Sequence, residues 1–335
     1  MQTQPSSGIL DEFRDDFLDC WRRLPNKAFF LMLLAAWLAL FHFLGNSTLG
    51  YVRTSSLLYW MYNAYNSQSM DADDAHGNVV PFLVLGLFWW KRRQLLALKL
   101  RTWWPSLILV ALGLGIHMLG FGVQQARISI VGLFIGLYGL TGLAWGPGWL
   151  RESFFPFCLF VFAVPLGSLG QAVTLPLRKL TAVIVTKIAH LGLAPDLVRE
   201  GVQIYDGSTR INGQPPYAYD IAPACSGIRS LVALLAFNLI YSVVSFRSVW
   251  KWAVMLAAAF PLAVLGNVTR LLITVAVTEG FGPNWGKRVE TNAGFVTYAV
   301  AIGVALALGH WLRDQPAAAR SPAARATEAA EAKMT

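Results

Sequence analysis

Residues 128–147 read ISIVGLFIGLYGLTGLAWGP, twenty consecutive positions without an acidic or basic side chain. A helix rises about 1.5 Å per residue, so this run is long enough to cross the roughly 30 Å hydrocarbon core of a bilayer. It is apolar all the way round, as a lipid-embedded helix must be. Working outward, similar runs fall at about 27–44, 79–90, 104–121, 153–168, 226–245, 251–267 and 294–312. The fold expected is an all-α polytopic membrane protein with about eight transmembrane helices. Composition agrees. Of 335 residues, 56% are hydrophobic and only 13% charged, with mean hydropathy +0.50, whereas soluble domains carry about 25% charge.

The net charge of +9 does not read as a nucleic-acid signal. Arg22, Arg23, Lys27, the basic cluster at 91–101, Arg151, Arg247, Lys251 and Arg313 all border apolar runs. With the N-terminus inside, these residues occupy short cytoplasmic turns, as the positive-inside rule demands. Residues 46–78, 121–128, 171–224 and 267–293 then share the outer face.

Three segments lie outside that span pattern. Residues 1–26 form a cytoplasmic N-terminal segment, in which Leu10, Phe13, Phe17 and Trp21 recur at helical spacing opposite Asp11, Glu12, Asp15, Asp16 and Asp19. An amphipathic surface helix is expected there, not a signal peptide. Residues 171–193 carry Arg178, Lys179, Lys187 and His190 and suit an interfacial helix. Residues 313–335, rich in Ala, Arg, Glu and Pro, read as a disordered cytoplasmic tail. The domain between, 27–312, holds the spans.

Other signals are local. Residues 195–222 alternate weakly and hold Asp206-Gly207 and Asn212-Gly213, so a small outer-face hairpin is expected. Tyr59, Trp60, Tyr62 and Tyr65 suit an interfacial aromatic belt. Asp71, Asp73 and Asp74 before His76 read as a solvated acidic turn rather than a metal site. The segment 251–279 is too long for one straight span, and Pro261, Gly266 and Asn267 are expected to bend it. A loop is expected over 282–293. Cys20, Cys158 and Cys225 are far apart, without zinc or CxxC spacing; no metal and no cofactor is expected.

The chemistry gathers around Ala222-Pro-Ala-Cys225-Ser226-Gly227-Ile-Arg229-Ser230. A cysteine at a helix start can be held as thiolate by free backbone N–H groups and the helix dipole. Ser226 can cap the helix. A nucleophile forming a thioester and a buried structural cysteine are both compatible with these residues. Asn267-Val-Thr-Arg270 places Asn267 and Arg270 on one helix face. Arg270 is surrounded by leucine and isoleucine, so its guanidinium needs a carboxylate, a carbonyl or an oxyanion, unless it snorkels to the interface.

Ala224-Cys-Ser-Gly-Ile-Arg229 resembles the ACSGI(R) motif of the exosortase/archaeosortase family, and Asn267-Val-Thr-Arg270 resembles its NxxR motif. Asp74-Ala-His76-Gly77, Phe162-Ala-Val-Pro-Leu166 and Arg199-Glu-Gly201 are similar to further landmarks, in the right order over roughly residues 28–312. The resemblance implies a membrane cysteine transpeptidase with Cys225 as nucleophile and Arg270 as transition-state stabiliser. Ser226, Gly227, Arg229, Asn267 and His76 are implied as binding or supporting residues. It further implies substrates anchored by a C-terminal sorting signal of PEP-CTERM type: a short motif, a transmembrane helix and a basic tail. The site would face the outside or periplasm from the inner membrane, surrounded by lipid and alongside exopolysaccharide machinery. One departure stands out. Where exosortases carry a histidine four residues before the glycine that opens the last span, this chain has Glu290 before Gly294, with Arg288 two positions upstream. Two other classes compete with the enzyme: a catalytically altered relative acting as an assembly factor in envelope export, and an unrelated transporter. No internal repeat of the kind transporters use is visible.

Overall fold

The computed structural model describes residues 9–48, 52–66, 74–166, 168–206, 218–220, 228–292 and 294–313. They divide into two compact units, 1–170 and 171–335.

The first unit contains α1 (Ile9–Arg23), α2 (Lys27–Phe43), α3 (Leu57–Tyr65), α4 (Val80–Leu96), α5 (Leu107–Gly122), α6 (Ala126–Trp145) and α7 (Pro147–Cys158). Helix α6 is the stretch quoted at the outset, and its most intimate neighbour is α5. The two backbones meet through glycine: a Cβ added at Gly113 would lie 2.8 Å from the Gly132 carbonyl oxygen. Lipid offers no hydrophobic drive between helices, so close approach of small residues supplies dispersion contact instead. Trp37 of α2 donates its indole N–H to the Leu133 carbonyl at 3.1 Å.

Helices α1 and α2 meet at a bend of 93°. Asn26 turns the corner in the left-handed region at φ 54, and its amide donates to the Ala144 carbonyl at 3.0 Å. The α1 ring face lies on α4, with Phe13 4.7 Å from Trp89 and Arg92 paired to Asp16 at 2.6 Å. That hydrogen bond, with the Arg92 and Arg93 charges, holds the Asp16 carboxyl below its usual range against a smaller opposing effect of desolvation. A depressed folded pKa means the pair stabilises docking above the unfolded value and loses that contribution as pH falls through the folded one. Docking of α1 is therefore expected to persist at neutral pH and loosen below about pH 4. A spin-label distance between positions 18 and 85 checks this, and Asp16→Asn should remove the step.

The expected fifth span differs from the structure. Its helix starts at Pro147 and gives way to a 3₁₀ turn over Leu159–Ala163. A proline can open a helix, whereas Pro156 within it denies α7 a backbone donor near its end.

The second unit holds α8 (Ser168–Ala189), a three-stranded antiparallel sheet, α9 (Ile228–Ser245), α10 (Val249–Phe281), α11 (Pro283–Asn292) and α12 (Gly294–Leu312). The sheet order is β1 (Leu197–Glu200), β2 (Gln203–Asp206), β3 (Ala218–Asp220). Glu200 pairs with Gln203, leaving a two-residue turn whose first position is Gly201 at φ 65. That positive φ is what a primed hairpin turn requires. The expected hairpin is thus present, with a third strand added; residues 207–217, including the Asn212-Gly213 signal, lie outside the described set.

Helices α9, α10 and α12 share one core, including Leu234, Met255, Ala259, Ala263, Ala301 and Ala305. Asn238 is fully buried and donates to the Met255 carbonyl at 2.7 Å. Lys251 reaches the Leu312 carbonyl at 2.8 Å, placing positive charge at the C-terminal end of α12.

Two expectations are corrected here. Helix α10 runs unbroken for 33 residues through Pro261, Gly266 and Asn267. Packed helices tolerate proline when local adjustments and neighbours re-satisfy the freed backbone. The expected loop after it is largely helix α11. Gly282, at φ 89, ends α10, and Pro283 opens α11 as a pre-set first residue.

Among the described residues three helices are long and apolar enough to cross a membrane: 104–122 (with the 3₁₀ turn Trp104–Ser106 preceding α5), 126–145 and 249–281. The bent α1–α2 pair raises this to four. The remaining apolar helices are shorter. The chain is a mostly helical, multi-pass membrane protein.

Candidate functional site

Cys225, Ser226 and Gly227 lie outside the described residues. Arg229 falls in the first turn of α9, which begins three positions after Cys225. The expected site therefore has to be built from α10 and α11.

On α10, Asn267, Arg270, Thr274 and Thr278 recur at intervals of three and four, which places them on one face. All four are buried, with relative exposures of 7%, 7%, 1% and 8%. The two threonines are self-contained: Thr274 donates to the Arg270 carbonyl at 3.0 Å and Thr278 to the Thr274 carbonyl at 2.8 Å. Arg270 is not. Its Nη2 is buried and has no hydrogen-bond partner among the described residues. A buried N–H group left without an acceptor costs about 1–3 kcal/mol, and more when it is charged. A fold that keeps one has a guanidinium edge available to an anion.

Arg270 is held in place by apolar packing beside it. Val264, Val268, Leu271 and Val275 form one core with Ala182, Val185 and Ala189 of α8, Leu197 of β1 and Ile204 of β2. The sheet whose last strand ends five residues before Cys225 thus rests in the core that holds the Arg270 turn.

Helix α11 carries the two residues expected near a third catalytic position. Gly286 is buried against Thr278, and a Cβ there would collide with the Thr278 side chain. At about 100° per residue, Glu290 lies within roughly 40° of Gly286, and Arg288 on the far side. Burial follows: Glu290 is half-buried, Arg288 exposed. The Arg288 guanidinium lies over the Trp285 ring, 5.3 Å from its centroid. Glu290 thus shares the face that meets α10, while Arg288 points away from it.

His76 belongs to the first unit, in the 3₁₀ turn Ala75–Asn78. There the structure joins two stretches far apart in sequence. Asp74, 3% exposed, accepts the Leu166 backbone N–H at 2.8 Å. The Tyr65 hydroxyl donates to the Ala163 carbonyl, and Arg127 Nε donates to the Pro165 carbonyl at 2.8 Å. Burial, and then the Asp74 charge, pushes the Tyr65 hydroxyl well above the ordinary tyrosine value. Asp74 is therefore a buried structural acceptor and not part of a solvated turn; Asp71 and Asp73 lie outside the described residues. Tyr65 leaves the expected aromatic belt, whose exposed members include Tyr59 and Tyr62. His190 bonds the Leu197 carbonyl at 2.8 Å and orients the start of the sheet.

These geometries can be set beside known proteins. The family model described as transmembrane exosortase matches residues 66–307, more than half of the chain. The chain belongs to the transmembrane exosortase family. No curated protein matches it, and no solved structure does. The exosortase match begins at the end of α3 and closes within α12, so it takes in both the Asp74–Gly77 turn and the Asn267–Arg270 stripe. Membership supports a membrane transpeptidase in general terms. A membrane-embedded exosortase has lipid around its apolar helices, such as the exposed Ile108, Leu112 and Met118 of α5.

Proposed function

We propose that this exosortase cleaves C-terminal sorting signals of exported proteins and transfers the protein to an acceptor, through a thioester on Cys225. The observation that carries the reading is the buried Arg270, whose Nη2 has no hydrogen-bond partner among the described residues, on the motif stripe of a helix from a transmembrane exosortase. In the first step the Cys225 thiolate attacks the scissile carbonyl and the carbonyl oxygen gains negative charge. Arg270 stabilises that oxyanion, more strongly in a dry site than in water. Collapse expels the amine of the C-terminal fragment, which takes up a proton, and leaves an acyl-enzyme. An acceptor nucleophile then displaces the thiolate.

Depth fits this role. About 20 residues of helix cross the hydrocarbon core. Counted from Val249, beside the exposed Trp250, they end near Val268, so Arg270 falls at the far boundary. With eight crossings and the N-terminus inside, that boundary is the outer face of the inner membrane. Residues 27–312 form the catalytic membrane domain, and 1–26 and 313–335 are cytoplasmic additions. Asn267 shares the Arg270 face as a supporting residue, and Ser226, Gly227 and Arg229 are the supporting residues of the Cys225 motif. His76 supports the outer-face surface from its own unit.

Glu290 is the proton-handling residue in this reading, because it lies on the inward face of α11. Glu290→Gln is expected to lower kcat roughly a hundredfold. The overall reading is tested in vesicles holding the full chain and a C-terminally anchored substrate: cleavage and acceptor transfer should both require Cys225. An envelope-assembly factor without catalysis would bind such a substrate and leave it intact.

A further inference from the structure

Helix α1 docks on α4 without closing over it. Phe13, Phe17 and Trp21 of α1 line an apolar groove of about 580 Å³ together with Leu85, Gly86 and Trp89 of α4. Phe13 and Phe17 remain 52% and 48% exposed, and Leu85 64%. A Cβ added at Gly86 would meet no atom within 4 Å, so the absent side chain leaves room there. Along α4 the lining runs from Leu85 to Leu96, about 16 Å of helix. Half of the hydrocarbon core of a bilayer is about 15 Å. The groove thus has the length of one acyl chain in one leaflet, and its walls are apolar, as such a chain requires.

Charge decides which headgroup goes with that chain. The Leu85 end lies in the apolar part of α4. The other end lies beside Lys91-Arg92-Arg93, and basic residues that flank an apolar run mark the membrane surface. Four of the α1 acids are already engaged: Asp11 and Asp15 with Arg14, Asp16 with Arg92, and Asp19 with Arg23. Arg22, next to Trp21, and Arg93, next to Arg92, are exposed and form no ion pair among the described residues. Lys27 adds a third cation at this end, its Nζ 5.7 Å from the Trp21 ring centroid. Each such cation favours an anionic lipid about fivefold. We infer that the α1–α4 groove is a binding site for one phospholipid with an anionic headgroup, its acyl chain along Phe13, Phe17 and Gly86 and its headgroup beside Arg22 and Arg93. This goes beyond the transpeptidase reading and does not depend on it.

The test titrates full-length protein in detergent with phosphatidylglycerol or phosphatidylcholine carrying the same photoactivatable acyl chain, and maps the crosslinks by mass spectrometry. Crosslinks should fall within 13–24 and 85–96, with half-saturation at roughly tenfold lower concentration for phosphatidylglycerol. Gly86→Trp fills the groove and should cut this labelling at least tenfold with Tm unchanged. The double variant Arg22→Glu/Arg93→Glu should keep the labelled positions and lose the headgroup preference. Cys225→Ala protein should label as the unaltered protein does. Equal half-saturation by the two lipids in the unaltered protein means an ordinary lipid annulus and overturns the site. So does labelling that survives Gly86→Trp, or a groove that crosslinks instead to a second copy of the chain. Should Gly86→Trp lower Tm, the charge-reversed pair decides, and a headgroup preference that persists in it overturns the proposal.

Discussion

Replacing Cys225 by alanine is expected to lower processing of a C-terminally anchored substrate by on the order of a thousandfold or more, with substrate binding retained. The sulfur is the only atom of the protein that forms a covalent bond to the substrate in the proposed reaction, so no neighbouring group compensates for its loss. Serine is not an adequate replacement. At neutral pH a hydroxyl remains protonated, whereas a thiol lies much nearer its ionisation and is the stronger nucleophile. Cys225→Ser should therefore fall close to the alanine variant. Cys20 and Cys158 provide an internal comparison. Both line apolar grooves, Cys20 beside Phe17 and Trp21 and Cys158 beside Phe154 and Phe157. Alanine at either should leave processing within about twofold.

The second large effect is expected at Arg270. Removing a preorganised donor to an oxyanion costs about a hundred- to a thousandfold in kcat. Arg270→Met is the informative variant, because it keeps a long side chain and removes the charge. If the guanidinium served the fold, its loss would destabilise the protein. A buried guanidinium whose Nη2 has no partner among the described residues does the reverse: replacing it by an apolar group of similar length is neutral or stabilising. The expected result is an unchanged or raised Tm together with the loss of turnover. Arg270→Lys retains charge without the fork and should recover only part of the rate. A fall in both Tm and activity for Arg270→Met would make Arg270 a structural residue.

Much of this was legible in the sequence where the signal is periodic. The uninterrupted apolarity of 128–147 marks α6, and the three-residue spacing of Asn267 and Arg270 correctly puts both on one buried face. Of the alternating positions, Ile204 is fully buried in β2, whereas Val202 falls in the turn between β1 and β2 and Ile211 lies outside the described residues. What stayed hidden was set by distant partners or by ambiguous punctuation. Asp74 reads as solvated beside two other aspartates, yet the backbone of Leu166, 92 positions later, recruits it. Gly282-Pro283 reads equally as a loop or as the end of one helix and the start of the next. Only the seat of Gly286 on Thr278 separates Glu290 from Arg288, and no local pattern encodes that contact. Pro261 reads as a bend in the sequence, because its effect on α10 depends on neighbours supplied by α9 and α12.

The most direct measurement is to trap the acyl-enzyme. Full-length protein in vesicles is mixed with substrate in the absence of acceptor, quenched in acid and analysed by mass spectrometry of intact protein and of its fragments. The expected result is a mass increase equal to the acyl group of the N-terminal part of the substrate. The adduct should be located on Cys225, released by hydroxylamine, absent from Cys225→Ala and strongly reduced in Arg270→Met. Cleaved substrate with no adduct on Cys225, or an adduct that survives Cys225→Ala, would contradict it.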